Sequence, residues 1–322
     1  MTRRRVARYR WSLLIIAGVV LSHVLVYVAG EWYRGIDYSN RFLDLYGTPV
    51  STNIAFREEL DNHRLYSVHL ENERGVIVDG YLKVPDGDGE QYPALLLLGG
   101  VRTGRQTIDY IRNTRGVVLL ALDYPYEGKT SRMSAAEFVS AIPRIREAVI
   151  RTVPAAMMAV DYLLARDDVD PRRIVVVGGS VGALFVPAVA ATDPRIAAAA
   201  MLFGAADIQT VMRVNLEIPG FVARPASWLG AVLVSPVEPT KYIGGVSPRP
   251  VFMLNGTGDP RMPERCSRIL HDAAGDPKTI RWIDAGHVNI RDTEFHNMVA
   301  RELVDWLVAG DFVSLENFIP PD

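Results

Sequence analysis

A single cysteine, Cys266, is all the thiol chemistry this 322-residue sequence carries. One thiol closes no internal disulfide and builds no multi-cysteine zinc site. It falls in a stretch that reads as a helix, Glu264 to Ala274, and is expected to be a small core residue. The sequence has no His-Glu-x-x-His pair and no EF-hand loop. It also lacks an excess of charge of either sign. Against 35 Lys and Arg stand 37 Asp and Glu, a net charge of −2, and the body of the chain contains no basic run. That leaves no electrostatic footprint for nucleic acid. Gly128-Lys129-Thr130 has the end of a phosphate loop, but Asp123 stands where its first glycine is required. Gly-x-Gly-x-x-Gly is missing as well, and Gly178-Gly179-Ser180 comes mid-chain rather than after a first strand, which argues against a dinucleotide site. No cofactor or metal is expected.

One long hydrophobic run is present. Arg3, Arg4, Arg5, Arg8 and Arg10 precede Trp11 to Gly30, which only Ser12, Ser22 and His23 interrupt. The run has the length of a bilayer-crossing helix. The arginines hold the N-terminus in the cytoplasm by the positive-inside rule. The expected organisation is a basic tail over 1–10, a transmembrane anchor over 11–30, a connector over 31–63 and a catalytic domain over 64–322. That domain would lie outside the cytoplasm, in the periplasm of a Gram-negative cell. Val28-Ala29-Gly30 offers small residues for signal cleavage, so a secreted product is the alternative, although the run is long for a signal core. The connector holds Trp32, Tyr33, Tyr38, Phe42 and Tyr46, residue types that favour a membrane interface.

Beyond it the pattern is of strands and helices. Leu65–Leu70 and Val76–Leu82 read as an antiparallel pair. Ala94–Leu98, Val117–Leu122, Ile174–Val177, Ala198–Phe203, Val251–Asn255 and Thr279–Ile283 are apolar runs suited to strands covered on both faces. Helical segments alternate with them: Ala135 to Arg166, with a break expected near Pro143 or Pro154, then Val181–Ala191, Glu264–Ala274 and Glu294–Leu307. This alternation predicts an α/β fold with a mostly parallel sheet and helices on both faces. Ala205 to Val246 does not fit it and reads as a cap insertion over the site, with Phe221, Trp228, Leu229 and Val232 as an apolar wall.

The chemistry converges on Ser180. Gly178-Gly179-Ser180-Val181-Gly182 joins a strand to a helix, and in so tight a turn small residues must flank the serine. Gly256-Thr257-Gly258-Asp259-Pro260 then presents a carboxylate past the next strand, and Asp284-Ala285-Gly286-His287 a histidine past the one after. A serine hydroxyl needs a base to remove its proton. His287 fits that role, with Asp259 holding its tautomer. Asp207, after the preceding strand, is the rival acid; Asp284 is too near His287 in sequence, and Asp123 is expected to fix a loop. His63, His69, His271 and His296 are expected to be structural. Oxyanion donors are expected at the amides of Val181 and of Gly100 or Val101. Arg102 and Arg105 follow, either as a solvated loop or as contacts to an acidic group of the substrate.

With these residues in view the chain resembles the α/β-hydrolase fold, most of all its dienelactone-hydrolase-like and prolyl-oligopeptidase-like branches. The resemblance spans about residues 64 to 310. It rests on Gly80-Tyr81-Leu82-Lys83-Val84-Pro85, Leu98-Gly99-Gly100, Leu122-Asp123-Tyr124-Pro125, the serine turn, Gly258-Asp259 and Gly286-His287. It implies the fold but not the substrate, because this fold hosts many activities; the expected function is a membrane-anchored serine hydrolase that cleaves a small-molecule carboxylic ester through an acyl-enzyme, with no cofactor. Leu98 departs from the family's common histidine before the glycines, and the serine departs from the cysteine of true dienelactone hydrolases. A peptidase or amidase of the same fold, or an inactive scaffold used for binding, are the alternatives. Oligomeric state is left open.

Overall fold

The computed structural model describes residues 3–87, 91–111, 114–126, 128, 135–216, 218–288 and 292–318. Lys129 and Thr130 of the rejected phosphate loop lie outside them. The chain divides into two compact units, Met1–Asp37 and Tyr38–Asp322. The first is a single helix, α1 (Arg3–Arg34), with no proline to break it. Basic tail, apolar run and the start of the expected connector are therefore one element. Within it Leu13–Arg34 is long and apolar enough to cross a membrane, at 22 residues and mean hydropathy 2.4.

The second unit begins at Tyr38, not at residue 64. α2 (Ser39–Leu45) buries Phe42 and Leu45, and β1 (Pro49–Leu60) pairs antiparallel with β2 (His63–Asn72). Most of the expected connector is thus part of the domain. β1 carries no strand alternation because it is the sheet's edge, exposed everywhere except near Pro49, Ile54 and Leu60.

β3 (Ile77–Pro85), β4 (Tyr92–Leu98), β5 (Val118–Leu122), β6 (Val169–Gly179), β7 (Ala198–Leu202), β8 (Val251–Gly256) and β9 (Lys278–Ile283) complete a nine-stranded sheet in the order β1-β2-β3-β5-β4-β6-β7-β8-β9. The β1–β2, β2–β3 and β3–β5 pairs are antiparallel. From β5 to β9 every pair is parallel. The helices are α3 (Ala135–Leu164), α4 (Val181–Thr192), α5 (Ile208–Asn215), α6 (Gly220–Val234), α7 (Glu264–Ala273) and α8 (Thr293–Ala309). Alternate residues of the buried strands serve opposite faces. Leu95, Leu97, Leu119, Val175 and Val177 pack with Phe295, Leu303, Trp306 and Leu307 of α8, while α3 and α4 cover the other face. The architecture is that of an α/β-hydrolase fold.

α3 runs unbroken through Pro143 and Pro154, contrary to expectation. A proline inside a helix costs about 3 kcal/mol. Val149, Ile150, Val153, Met157, Met158 and Val160 are all buried, and burying one such side chain is worth about 1.5–3 kcal/mol. Packing outweighs the lost hydrogen bonds. The segment read as a cap lies between β7 and β8. It comprises α5, α6 and a series of 3₁₀ turns that ends at Val246. Gly220–Lys241 also has spanning length and apolar character, at mean hydropathy 1.2, but 44% of it is buried in the domain.

Two histidines are enclosed away from the sheet's serine. His63 is 2% exposed and its Nε2 has no hydrogen-bond partner. His271 Nε2 lies 2.9 Å from Asn255 Oδ1. Burial, with Lys83 beside the first, lowers the pKa of His63 from 6.5 to about 4; Asp86 and the Val117 carbonyl oppose this. Burial, with Arg268 and Lys278 against Asp272, does the same to His271. Unfolded, both bind protons from about pH 6.5 downward. Folding is therefore fully supported above that pH and loses support as the pH falls towards 4. Each group steepens the fall by up to about 1.4 kcal/mol per pH unit. His63→Gln should flatten the pH dependence of the urea midpoint between pH 6.5 and 4. An unchanged slope would show that His63 titrates freely in the folded protein.

Candidate active site

Where β6 passes into α4, Ser180 adopts φ 55° and ψ −113°. Such a conformation in a non-glycine residue costs about 1–3 kcal/mol. The neighbouring glycines make the turn possible. A Cβ on Gly182 would collide with the Leu98 carbonyl at the end of β4, and one on Gly178 would lie 2.5 Å from Val186 Cγ2. The Ser180 amide donates to Leu202 O at 2.9 Å, which ties the turn to β7.

His287 follows β9 and Asp259 follows β8. Ser180 Oγ lies 2.8 Å from His287 Nε2, and His287 Nδ1 lies 2.7 Å from Asp259 Oδ2. The other oxygen, Asp259 Oδ1, accepts from the amides of Arg261 at 2.8 Å and Met262 at 3.0 Å. The histidine and aspartate side chains are 10% and 1% exposed. A buried carboxylate accepting these bonds only accepts, so the Nδ1 proton is the histidine's, and Nε2 is left to accept from the serine. Phe203, at φ 56° just past β7, sets its ring edge-on to His287 at 6.0 Å and against Phe295 at 5.5 Å.

The remaining candidates lie elsewhere. Asp207 caps α5 by accepting from the Thr210 amide at 3.2 Å and pairs with Arg265 at 2.9 Å. Asp284 meets Thr257 Oγ1 at 3.4 Å. Asp123 holds the loop after β4, accepting from the Arg105 amide at 2.8 Å and pairing with its guanidinium at 2.9 Å. Arg105 also lies 5.0 Å over the Tyr81 ring, so it is a structural residue. Arg102 is exposed. His69 pairs with Asp79 at 2.8 Å, and His296 packs on Tyr110 at 5.4 Å. Cys266 is fully buried, and that burial raises its pKa. Phe221 is 82% exposed and does not form part of an enclosed wall; Trp228 is half-buried.

Among the described residues, no backbone acceptor engages the amides of Gly100, Val101 or Val181. Their loop is held from behind. Thr103 and Gly104 amides donate to Gly100 O, each at 3.0 Å, and the Tyr124 hydroxyl donates to Gly99 O. Burial pushes the Tyr124 phenol well up, so it stays a neutral donor. Sequence reasoning assigned no role to Tyr124 or Phe203. The signal for the first was the Asp-Tyr-Pro after β5; for the second there was none, since a positive φ in phenylalanine has no compositional mark.

The model of the prolyl oligopeptidase family matches residues 114–310, a range that contains Ser180, Asp259 and His287. The chain belongs to the prolyl oligopeptidase family. With this family it joins the serine hydrolases of the α/β-hydrolase fold. The uncharacterized protein YfhR of Escherichia coli K12 is 25% identical over 153 residues, covering 47% of this chain and 51% of that protein. Its Salmonella typhi counterpart is 28% identical over 161 residues, covering 46% and 52%. The chain thus matches about half the length of these curated relatives. Among solved structures, acetyl xylan esterase 1 from Thermoanaerobacterium sp. JW/SL YS485 superposes with TM-score 0.62 at 16% identity, covering 83% of this chain and 92% of that one. A puromycin-hydrolyzing peptidase of Mycobacterium tuberculosis gives 0.58 at 22%, covering 81% and 40%. Both share the fold.

The turn geometry makes a test. Gly182→Ala should force α4 off the end of β4, lowering Tm and reducing hydrolysis by about a hundredfold or more, as ångström misplacement of reacting groups does. Calorimetry and activity per folded protein check this; a variant with unchanged Tm and rate would mean that the contact with Leu98 is not as close as described.

Proposed function

We propose that this protein is a membrane-associated serine hydrolase that cleaves a carboxylic ester through an acyl-enzyme on Ser180. The observation that carries the reading is the linked pair of contacts from Ser180 Oγ to His287 Nε2, 2.8 Å, and from His287 Nδ1 to Asp259 Oδ2, 2.7 Å. Ser180 Oγ attacks the ester carbon as its proton passes to His287 Nε2. Negative charge on the carbonyl oxygen is received by the amides of Val181 and of Gly100 or Val101. Collapse breaks the ester C–O bond, and the proton on His287 goes to the leaving alcohol. Water, deprotonated by the same nitrogen, then attacks the acyl-enzyme and restores the serine. Asp259 stays ionised and keeps the imidazole in the productive tautomer.

The ester reading draws on the likeness to acetyl xylan esterases. A peptidase reading draws on the family itself and on the likeness to a puromycin-hydrolyzing peptidase. Parallel assays of p-nitrophenyl esters and aminoacyl anilides decide between them: the expected result is Ser180-dependent turnover of esters, and faster anilide cleavage would reverse the assignment. Fluorophosphonate should label wild type and leave Ser180→Ala unlabelled. Asp259→Asn should lower kcat by orders of magnitude, about 10⁴ in the best-studied serine hydrolases. Asp207→Asn should have little effect, because that carboxylate caps α5 and pairs with Arg265. The reverse ranking would move the acid to the loop after β7.

The same reading makes α1 an uncleaved anchor, with residues 1–10 in the cytoplasm, 11–30 in the bilayer and the catalytic unit outside, periplasmic in a Gram-negative cell. Arginines before an apolar helix of spanning length support it. An alkaline phosphatase fused to the C-terminus should be active, since it folds only in an oxidising compartment. A silent phosphatase alongside a fluorescent cytoplasmic reporter would overturn the topology, and a mature N-terminus near Ala29 would replace the anchor with a signal peptide.

A further inference from the structure

A helix on the surface of a water-soluble domain turns polar residues outward. α6 does not. Its inner side buries Ala223, Ser227, Gly230, Ala231 and Leu233. Its outer side shows Phe221 at 82% exposure, Val222 at 40% and Leu229 at 37%. The approach from α5 continues the patch, with Val214 at 46% and Ile218 at 41%. Arg224 is the charged residue of α6, and it is exposed. Arg213 on α5 is exposed too, as is Arg261, whose carbonyl accepts from Asn215 Nδ2 at 2.8 Å at the end of the same helix. Glu217 lies outside the described residues.

An apolar surface of this kind marks an interaction site. Exposed aromatic and branched side chains, with exposed Arg213 and Arg224 on the same two helices, match the boundary between acyl chains and phosphate headgroups, where rings sit in the boundary and guanidinium groups reach the phosphates. We propose that the α5–α6 tip, formed by Arg213, Val214, Ile218, Phe221, Val222 and Arg224, docks on an anionic lipid surface. The inference rests on the membrane reading above, because a chain anchored through α1 keeps its folded unit at a bilayer and turns docking into a local event that needs little affinity of its own. A symmetric contact between two copies of the tip fits less well: it would bring Arg213 and Arg224 of one copy towards those of the other, like charge against like. The docked tip is bonded to the active site. Asn215 holds the carbonyl of Arg261, and the Arg261 amide holds Asp259 Oδ1 at 2.8 Å. A cap so placed would meet esters that partition into lipid, which names the substrate class as lipophilic acyl esters.

The test uses the full-length chain carrying an environment-sensitive fluorophore on Phe221→Cys, reconstituted into phosphatidylcholine vesicles containing phosphatidylglycerol. Native Cys266 is fully buried and does not compete for label. Arg172→Cys, at a side chain 88% exposed on the start of β6, is the reference site. Ile218→Cys repeats the measurement should the first variant fold poorly. Flotation with the vesicles is scored first; a chain that does not float defeats the membrane reading and the docking with it. In a chain that floats, the probe at 221 should be quenched by headgroup-proximal nitroxide lipid about twofold or more beyond the probe at 172, and be shielded from aqueous iodide, as interfacial insertion requires. Equal iodide quenching at both sites would overturn the docking while leaving the anchor intact. Shielding from iodide and nitroxide alike would replace lipid with a protein contact.

Discussion

At Gly182 the chain passes so close to the Leu98 carbonyl that no side chain fits between them. The arrangement of the site depends on this contact. It seats the first turn of α4 on the end of β4, and the chain leaving β6 can reach that seat only through the φ of 55° found at Ser180. The strain, about 1–3 kcal/mol, is small beside what α4 gains. Leu184, Phe185, Val186 and Val189 are buried, and each such side chain contributes about 1.5–3 kcal/mol. A strained serine is therefore held by a helix that has no better place to go. Its hydroxyl faces His287 Nε2 at 2.8 Å, and among the described residues the next amide, that of Val181, has no backbone acceptor.

His287 and Asp259 reach the serine because their loops are joined before their side chains meet. β8 and β9 end in register, Gly256 opposite Ile283. Beyond the strands, the Thr257 amide donates to Ile283 O at 2.9 Å and the Gly258 amide to Ala285 O at 3.1 Å. Glycine at 256 is required, since a Cβ there would strike the Ala285 carbonyl. The two loops form one unit, so the 2.7 Å contact of Asp259 with His287 costs little further ordering. Asp207 starts one strand earlier, takes φ 55° as the cap of α5 and is drawn towards Arg265. Which of the two aspartates meets His287 is set by backbone pairing, which residue type alone does not reveal.

What could be read from the sequence follows the strength of the local constraint. The apolar runs of β4, β5, β6 and β8 declare themselves because burial on both faces leaves no room for polar residues, and the serine turn does so because only small residues fit it. β1 is invisible for the opposite reason: an edge strand exposed on both sides has nothing to alternate, and its long pairing with β2 is a tertiary fact. Pro143 and Pro154 mislead because helix propensity is local whereas the core that holds α3 straight is not. Phe221 was legible as apolar but not as outward-facing. A helix's buried stripe is read from spacing, and α6 is apolar almost all round.

That property of α6 conflicts with water as its only surrounding. Exposed phenylalanine, and partly exposed valine and leucine, on one short surface lose stabilisation that full burial would give them. Small residues such as Ala223, Gly230 and Ala231 already make its inner contact. The arrangement becomes economical when the outer face meets a medium in which apolar groups are at home and arginine finds phosphate. Leu13–Arg34 has the length and hydropathy to cross a bilayer, and the anchored reading proposed above would bring such a medium to the domain. Under that proposal helix and cap would obey one rule, that each apolar surface is matched to the solvent it meets, and the bonds from Asn215 to the Arg261 carbonyl and from the Arg261 amide to Asp259 would link the cap to the site.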